Sequence, residues 1–584
     1  MMPVKTNRLK KQSLITGFVL WALIVLISLP VGRCMEVEST NGPASKILLT
    51  VLNEILDNPF HYFMFLPRTL KGWSYGAYAL CFGGLVPLIC YNSYMEKRDL
   101  MPEKENGSAK WNESLKDYNK QYISVPRLGS ESPNMIMTKD ILLSMDTRKT
   151  MRNNNVLVIG GTGTGKSRFL IMPNLMQANA SFVVTDPSGE ILENMGSFLE
   201  SEGYTIKVLN LVDMRCSDSY NPFKYADGEE GILSMITALI ANTTPKGSKS
   251  NDPFWEKAET ALVQALCFYI RAEFPVQEQN FSSVMYLLRQ ADAPEGKKST
   301  LDIMFERFEE THPNHIAAKS YAVYRSAGGG KTAQSIVISA QTRLQAFNLA
   351  AMKRITDEDT IDLKSIGQKK TALFCVTPVG DTTFNFLVGM LYTQLFHTLY
   401  HYAETECPGK RLPVPVRFLL DEFANIGLIP NFNQLLATMR KYEISCTIVL
   451  QALSQLKALY RDDWEVIIAN CDSLLFLGAT DKTTLEYISA ILGKQTIRSV
   501  NSSRSFGKQK GYTTNYNKTG RELATTTELR TMKNSSCVYF LRGLDPFFST
   551  KFDPQSHPNY MKTGMGDDAK RYIVSDHKNN GGDL

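Results

Sequence analysis

The chain has 584 residues, a length that suits about three or four domain-sized units of roughly 150 residues and exceeds what one hydrophobic core absorbs. Hydrophobic residues make up 43% and charged residues 21%, which excludes global disorder, and a mean hydropathy of −0.18 excludes a polytopic transporter. Lys+Arg 64 against Asp+Glu 58 leaves +6, an excess too mild to require or exclude nucleic acid. The ten cysteines contain no CxxC pair and the seven histidines no HExxH or HxH. That pattern points to a reduced compartment without a protein-bound transition metal.

The N-terminal region, 1–95, reads as membrane-embedded. Residues 14–31 carry no charge over 18 positions, long enough for a transmembrane helix. Lys5, Arg8, Lys10 and Lys11 precede them, and basic flanks stay on the cytoplasmic side. A cleaved signal peptide is the competing reading, but no A-x-A site follows. A second uncharged run, 73–94, is followed by Lys97 and Arg98. Two spans leave 32–72 as an external loop and return the remaining chain to the cytoplasm.

The next strong signal is VLVIGGTGTGKSRFL at 156–170. Four apolar residues predict a strand. Gly160, Gly161, Thr162, Gly163, Thr164, Gly165, Lys166 and Ser167 fit GxxxxGK[ST] at every fixed position. The glycines let backbone N–H groups turn around phosphates, Lys166 reaches the β- and γ-phosphates, and Ser167 ligates Mg²⁺. The loop therefore predicts a nucleoside triphosphate with Mg²⁺, and a helix running to about Pro173. Gly328 to Thr332 imitates this loop, but Arg325 stands where its first glycine belongs and no strand precedes it; it reads as a flexible turn.

A nucleotide hydrolase also needs an acidic residue at a strand end and a group to orient water. VRFLLDE at 416–422 supplies both, with Asp421 for Mg²⁺ and Glu422 for the water. Asp186, ending the apolar run 181–186, lacks an adjacent glutamate and lies where the strand after the first helix belongs. It is assigned to the lining near the phosphates, with a structural turn as the alternative. Gln451, at the end of the strand 444–451, occupies a γ-phosphate-sensing place, with an ordinary strand-end cap as the alternative. No NKxD, LSGGQ, HRD or DFG occurs, which disfavours GTPases, ABC ATPases and kinases.

Lys166 and Asp421 are 255 positions apart, so something is inserted into the core. Residues 226–325 lack strand alternation and contain helical stretches, and the signals for buried strands resume near 372. This predicts an α/β fold with a parallel, doubly wound sheet over 96–225 and 326–560, interrupted by an all-α domain over 226–325. Residues 494–521 hold seven Lys or Arg and no acid, with Phe506, Tyr512 and Tyr516 interleaved. They read as a basic loop suited to a phosphate backbone and base stacking. The tail 561–584 is polar and expected to be disordered.

Beyond the nucleotide motifs, VVTDPSGEI (183–191), SDSYNPF (217–223), DPFWEKAE (252–259), SIVISAQTRL (335–344), ALFCVTPVGDTTFNFL (372–387), LLDEFANIG (419–427), VLQALSQL (449–456), RELATTTELR (521–530) and VYFLRGLDPFF (538–548) stand in chain order. Together they resemble a conjugative coupling protein of the TraG/TraD kind, over nearly the whole chain. The resemblance implies a RecA-like ATPase domain with an inserted all-α domain, preceded by two transmembrane helices and assembled as a homohexamer. It implies ATP-driven delivery of a relaxase bound to single-stranded DNA, or of protein substrates, to type IV secretion channel components. It also implies that Arg440 is a candidate arginine finger acting on a neighbour's ATP. An FtsK/SpoIIIE-like translocase is the alternative, but that class carries more spans and a C-terminal reader domain. A nucleotide-binding scaffold without turnover would not need Glu422.

Overall fold

The computed structural model describes residues 4–41, 44–96, 104–244, 253–292, 297–328, 330–505 and 511–574. The chain divides into two compact units, residues 1–107 with 496–520 and residues 108–495 with 521–584.

In the first unit, helix α1 (Val4–Asn41) carries a stretch, Leu14–Glu36, long and apolar enough to cross a membrane. A second such stretch, Leu70–Ser93, is two helices rather than one, α3 (Leu70–Gly83) and α4 (Leu85–Glu96), parted at Gly84. The segment expected as an external loop contains α2 (Ala44–Asp57) and a 3₁₀ turn, Pro59–Phe65. Glycines let α1 and α3 pack closely. A Cβ on Gly32 would sit 2.3 Å from the Gly72 carbonyl oxygen, and one on Gly76 would sit 2.6 Å from Leu29. Small residues at such contacts are how apolar helices approach in lipid. Phe18, Leu20, Leu23 and Leu26 face outward.

The residues expected as a basic loop form two strands, β10 (Lys494–Ser505) and β11 (Gly511–Glu522), paired with each other. Ile497, Val500, Tyr512 and Thr513 favour extended backbone, which corrects the loop reading. Phe506, Lys508 and Lys510 lie outside the described residues. Where the ribbon enters the first unit it is fastened to 105–107. Asn106 N–H donates to Thr496 Oγ1 at 3.0 Å, its side-chain amide donates to the Lys518 carbonyl at 3.1 Å, and the Lys518 ammonium meets Glu105 at 2.6 Å.

The second unit is built on a nine-stranded sheet. A small pair, β1 (Asn134–Ile136) and β2 (Leu142–Ser144), precedes it. The sheet strands are β3 (Val156–Gly160), β4 (Ser181–Pro187), β5 (Thr205–Asn210), β6 (Thr371–Thr377), β7 (Val416–Leu420), β8 (Ile444–Leu450), β9 (Ser473–Gly478), β12 (Ser536–Leu541) and β13 (Phe547–Thr550). Their order is β13-β12-β9-β3-β8-β7-β4-β6-β5. The seven strands from β9 to β5 are parallel, while β12 and β13 extend the β9 edge in antiparallel pairing. Alternate residues feed two cores. Leu157 and Ile159 join one, Val156 and Val158 the other, as a sheet covered on both faces requires.

Between β5 and β6 the chain is helical, from Gly228–Thr243 through Pro253–Glu273, Phe281–Arg289, Thr300–Thr311, Ile316–Ser326 and Lys331–Arg343 to Ala350–Thr356. The helices therefore run past residue 325. Gly330 leads into the helix Lys331–Arg343 rather than a second phosphate loop, and the element before this stretch is the helix Ile316–Ser326, not a strand. The expected disordered tail also needs correction as far as Val574. Tyr572 N–H donates to the Glu193 carbonyl at 2.7 Å, Gly564 N–H donates to the Asn194 carbonyl at 2.9 Å, and Met565, Tyr572 and Val574 pack on the core. Three apolar side chains among polar neighbours are enough to dock it.

Inside the helical insertion, Glu259 is 2% exposed and pairs with Arg343 at 2.5 Å. The guanidinium also donates to Thr243 and Thr244, each at 3.0 Å. Glu259→Ala strands that cation, and removing one member of a buried pair costs about 3–5 kcal/mol. Urea unfolding of the full chain should register that loss in the midpoint. Replacing the two together, Glu259→Leu with Arg343→Met, should recover most of it.

Candidate functional site

The phosphate loop is the first turn after β3. Gly161 N–H donates to the Gly478 carbonyl at 2.8 Å, which ties the loop to the end of β9. Gly163 and Gly165 have φ of 77° and 76°, a region open to glycine and strained for other residues. A Cβ on Gly165 would also meet the Phe169 ring at 2.4 Å. Thr162 is exposed at the tip, and the Thr164 hydroxyl donates to the Gly161 carbonyl at 2.8 Å. Lys166 is buried. The following helix begins as a π-helical turn, Ser167–Ile171, before the α-helical turn Met172–Leu175. Such turns are rare and cluster at functional sites.

β8 lies between β3 and β7, so one sheet edge gathers the ends of all three. Ser167 Oγ donates to Asp421 Oδ2 at 2.5 Å, joining residues 254 positions apart. Asp421 is 3% exposed. Burial pushes its carboxyl upward, against the downward pull of the Ser167 hydroxyl and the Lys166 ammonium. A carboxylate kept from water beside a hydroxyl is a donor set for a hard cation that also takes phosphate oxygens. The residues present therefore fit Mg²⁺.

Glu422 adopts φ 50° and ψ 48°, left-handed values that are rare outside glycine and concentrate at functional sites. Its carboxylate is clamped from both sides. Gln451 Nε2 donates to Oε1 at 2.7 Å and Asn425 Nδ2 donates to Oε2 at 2.9 Å. Gln451 thus meets the water-orienting candidate directly. Asn425 went unassigned in the sequence, although it stands three residues after Glu422 in the stretch LLDEFANIG.

Asp186 lies close enough to Asp421 to feel its charge and also holds the turn that follows β4. Its oxygens accept the N–H groups of Ile191 at 3.1 Å and Leu192 at 2.7 Å, so it caps the helix Glu190–Ser201. Burial raises its carboxyl to about 7, against those two hydrogen bonds, with the Asp421 charge adding to the rise. Each oxygen thus holds one backbone N–H of the helix that follows, which is the structural-turn alternative left open by the sequence. Arg440 is not brought to the loop within the chain. It lies in the turn Met439–Tyr442 before β8 and donates to the Thr147 carbonyl at 2.7 Å. A seven-residue strand at about 3.3 Å per residue separates that edge from the phosphate edge by roughly 20 Å.

Residues 109–560 match the family model described as Type IV secretory system Conjugative DNA transfer. The chain belongs to that family. VirD4 of Rhizobium radiobacter is 22% identical over 398 residues, covering 67% of this chain and 55% of that protein. The chain thus spans a little over half the length of this curated relative. The plasmid coupling protein TrwB, solved with the ATP analogue ADPNP, superposes with a TM-score of 0.56 at 15% identity, covering 78% of this chain and 95% of that one. Its form with ADP and Mg²⁺ gives 0.53 at 15% identity over 77% and 97%. The shared fold is the RecA-like P-loop architecture expected from the resemblance.

Asp186→Ala strips two buried N–H groups of their acceptor, a loss worth about 1–3 kcal/mol. Thermal unfolding should show it as a lowered midpoint without nucleotide, and Asp186→Asn, which keeps one acceptor oxygen, should fall between that variant and wild type.

Proposed function

We propose that this protein is a membrane-anchored ATPase that couples a relaxase–DNA substrate to a type IV secretion channel during conjugation. The observation that carries the reading is the 2.5 Å contact between Ser167 and Asp421. It closes the phosphate loop onto the acidic strand, with the clamped Glu422 next in the chain. Family membership supports the conjugative role, and the two apolar segments support the anchor, with the ATPase body on the cytoplasmic side.

In this reading the loop N–H groups and Lys166 take the β- and γ-phosphates of ATP. Ser167 and Asp421 would hold Mg²⁺, Asp421 through water. The ion, when bound, draws charge from the phosphate oxygens. Glu422 accepts a hydrogen bond from the attacking water and aims it at the γ-phosphorus. Asn425 and Gln451 fix that carboxylate, and through Gln451 its position answers to whatever occupies the end of β8. Arg440, on the sheet edge away from its own phosphate loop, suits action on a neighbour's nucleotide in a homohexameric ring.

The deciding experiment is steady-state ATPase of the full chain in detergent, with and without single- and double-stranded DNA. Lys166→Ala should abolish turnover, and Glu422→Gln should bind ATP but lose about 10²-fold or more in rate. Full turnover by Glu422→Gln removes the water-orienting role. Stimulation by DNA supports the DNA-moving reading, whereas hydrolysis indifferent to DNA moves the assignment to protein cargo.

The basic ribbon is the proposed DNA contact, with Lys518 already paired to Glu105. Lys508→Ala with Lys510→Ala should weaken DNA binding and lower the slope of log affinity against log salt by roughly 1–2. An unaltered slope in a salt titration would take the ribbon out of the DNA path.

A further inference from the structure

Lys551 follows β13 and is 7% exposed. Its backbone N–H donates to the Ser535 carbonyl at 2.8 Å, and its ammonium reaches across to the phosphate loop. Nζ donates to the Thr164 carbonyl at 2.8 Å and to Asn534 Oδ1 at 3.2 Å, and it lies 5.8 Å from the centre of the Phe169 ring. These partners are a neutral carbonyl, a neutral amide and an aromatic face. Among the described residues no carboxylate forms an ion pair with it. Burial pushes the ammonium down to about 8.

Two consequences follow from elementary geometry and electrostatics. In a trans peptide the C=O and the next N–H point opposite ways. A Thr164 carbonyl held by Lys551 therefore leaves the Gly165 N–H pointing away from that lysine. Separately, a buried cation with no counter-charge is costly, and the structure accepts that cost within one residue contact of a loop shaped for phosphates.

We infer that Lys551 is a second lysine of the nucleotide site, a positioning residue that locks the Thr164–Gly165 peptide for phosphate binding and whose counter-charge arrives with the bound nucleoside triphosphate. This rests on the nucleotide reading of the loop. The phosphate loop motif does not contain Lys551, which lies 385 positions after Lys166. Its contact with the loop exists because β12 and β13 fold back along the β9 edge.

The test uses the full chain in detergent, with MgATP as the probe, reading both the dissociation constant and the midpoint of thermal unfolding with and without nucleotide. Lys551→Met is expected to bind MgATP about tenfold more weakly or worse, the size of one lost charge-assisted hydrogen bond. Its nucleotide-free midpoint should hold or rise, because an unpaired buried charge has been removed. Lys551→Arg, which keeps the charge, should bind within about threefold of wild type. Wild-type affinity in Lys551→Met overturns the inference, with or without a lowered midpoint, and leaves the lysine a structural strut. If Lys551→Met weakens both affinity and midpoint, Lys551→Arg decides, and equal weakness in that variant also overturns it. Absence of MgATP binding by wild type, indistinguishable from Lys166→Ala, would instead sink the nucleotide reading itself.

Discussion

The hydrogen bond from Ser167 to Asp421 sets the terms for the rest of the molecule. Its partners are separated by 254 positions, and everything between must return β7 to within one strand of β3. The chain does this by making its largest excursion between β5 and β6, which are neighbours in the sheet with Val208 opposite Phe374. Parallel neighbours already require a crossover of a dozen or more residues. Enlarging that one connection into a helical domain leaves the register of the other strands untouched, and closure entropy rises only slowly with the length of the connection. The insertion then braces the acidic edge: Asn242 donates to the Leu428 carbonyl at 2.8 Å and accepts the Leu428 N–H at 2.6 Å.

The same edge concentrates unfavourable terms. Asp186 and Asp421 are buried carboxyls, the Asp421 charge raising Asp186 and the Glu422 charge raising Asp421, and Glu422 sits in a left-handed conformation. Lys551 adds a buried positive charge that, among the described residues, no carboxylate pairs. Such a collection lowers the stability of the empty site and increases what a magnesium-bound triphosphate contributes when it arrives. The hydrogen bonds that hold Glu422 are therefore aimed at a fixed carboxylate position rather than at stabilising the fold.

Much of this was legible in the chain because parallel strands buried on both faces appear as uninterrupted apolar runs. Val156 to Ile159, Phe418 to Leu420 and Ile448 to Leu450 are such runs, and GxxxxGK[ST] needs no tertiary context. What escaped reading depends on partners distant in sequence. The capping by Asp186 requires seeing Ile191 and Leu192 turn back on it. The ribbon β10–β11 is rich in Ser, Asn and Thr, a composition shared with loops, and its two strands pair with each other rather than with the main sheet. The break at Gly84 and the docking of Tyr572 on Glu193 follow from packing that no periodicity records.

The antiparallel edge carries the remaining logic. β13 is tied at its start to the segment that enters the second unit: Asn112 N–H donates to the Pro546 carbonyl at 2.8 Å, Lys110 lies 3.6 Å from Asp545, and Trp111 meets Phe548 edge-on at 5.5 Å. At its far end Lys551 grips the Thr164 carbonyl. A strand of four residues spans about 13 Å and is held by β12 along its length, so it behaves as a short rigid bar. The residues leading in from position 108 and the loop that cradles phosphate are thereby fastened to opposite ends of one element. Two successive reversals, β9 to β12 and β12 to β13, return β13 to the direction of β9 and β3, so its C-terminal end, with Lys551 just beyond it, lies at the sheet edge where the phosphate loop opens.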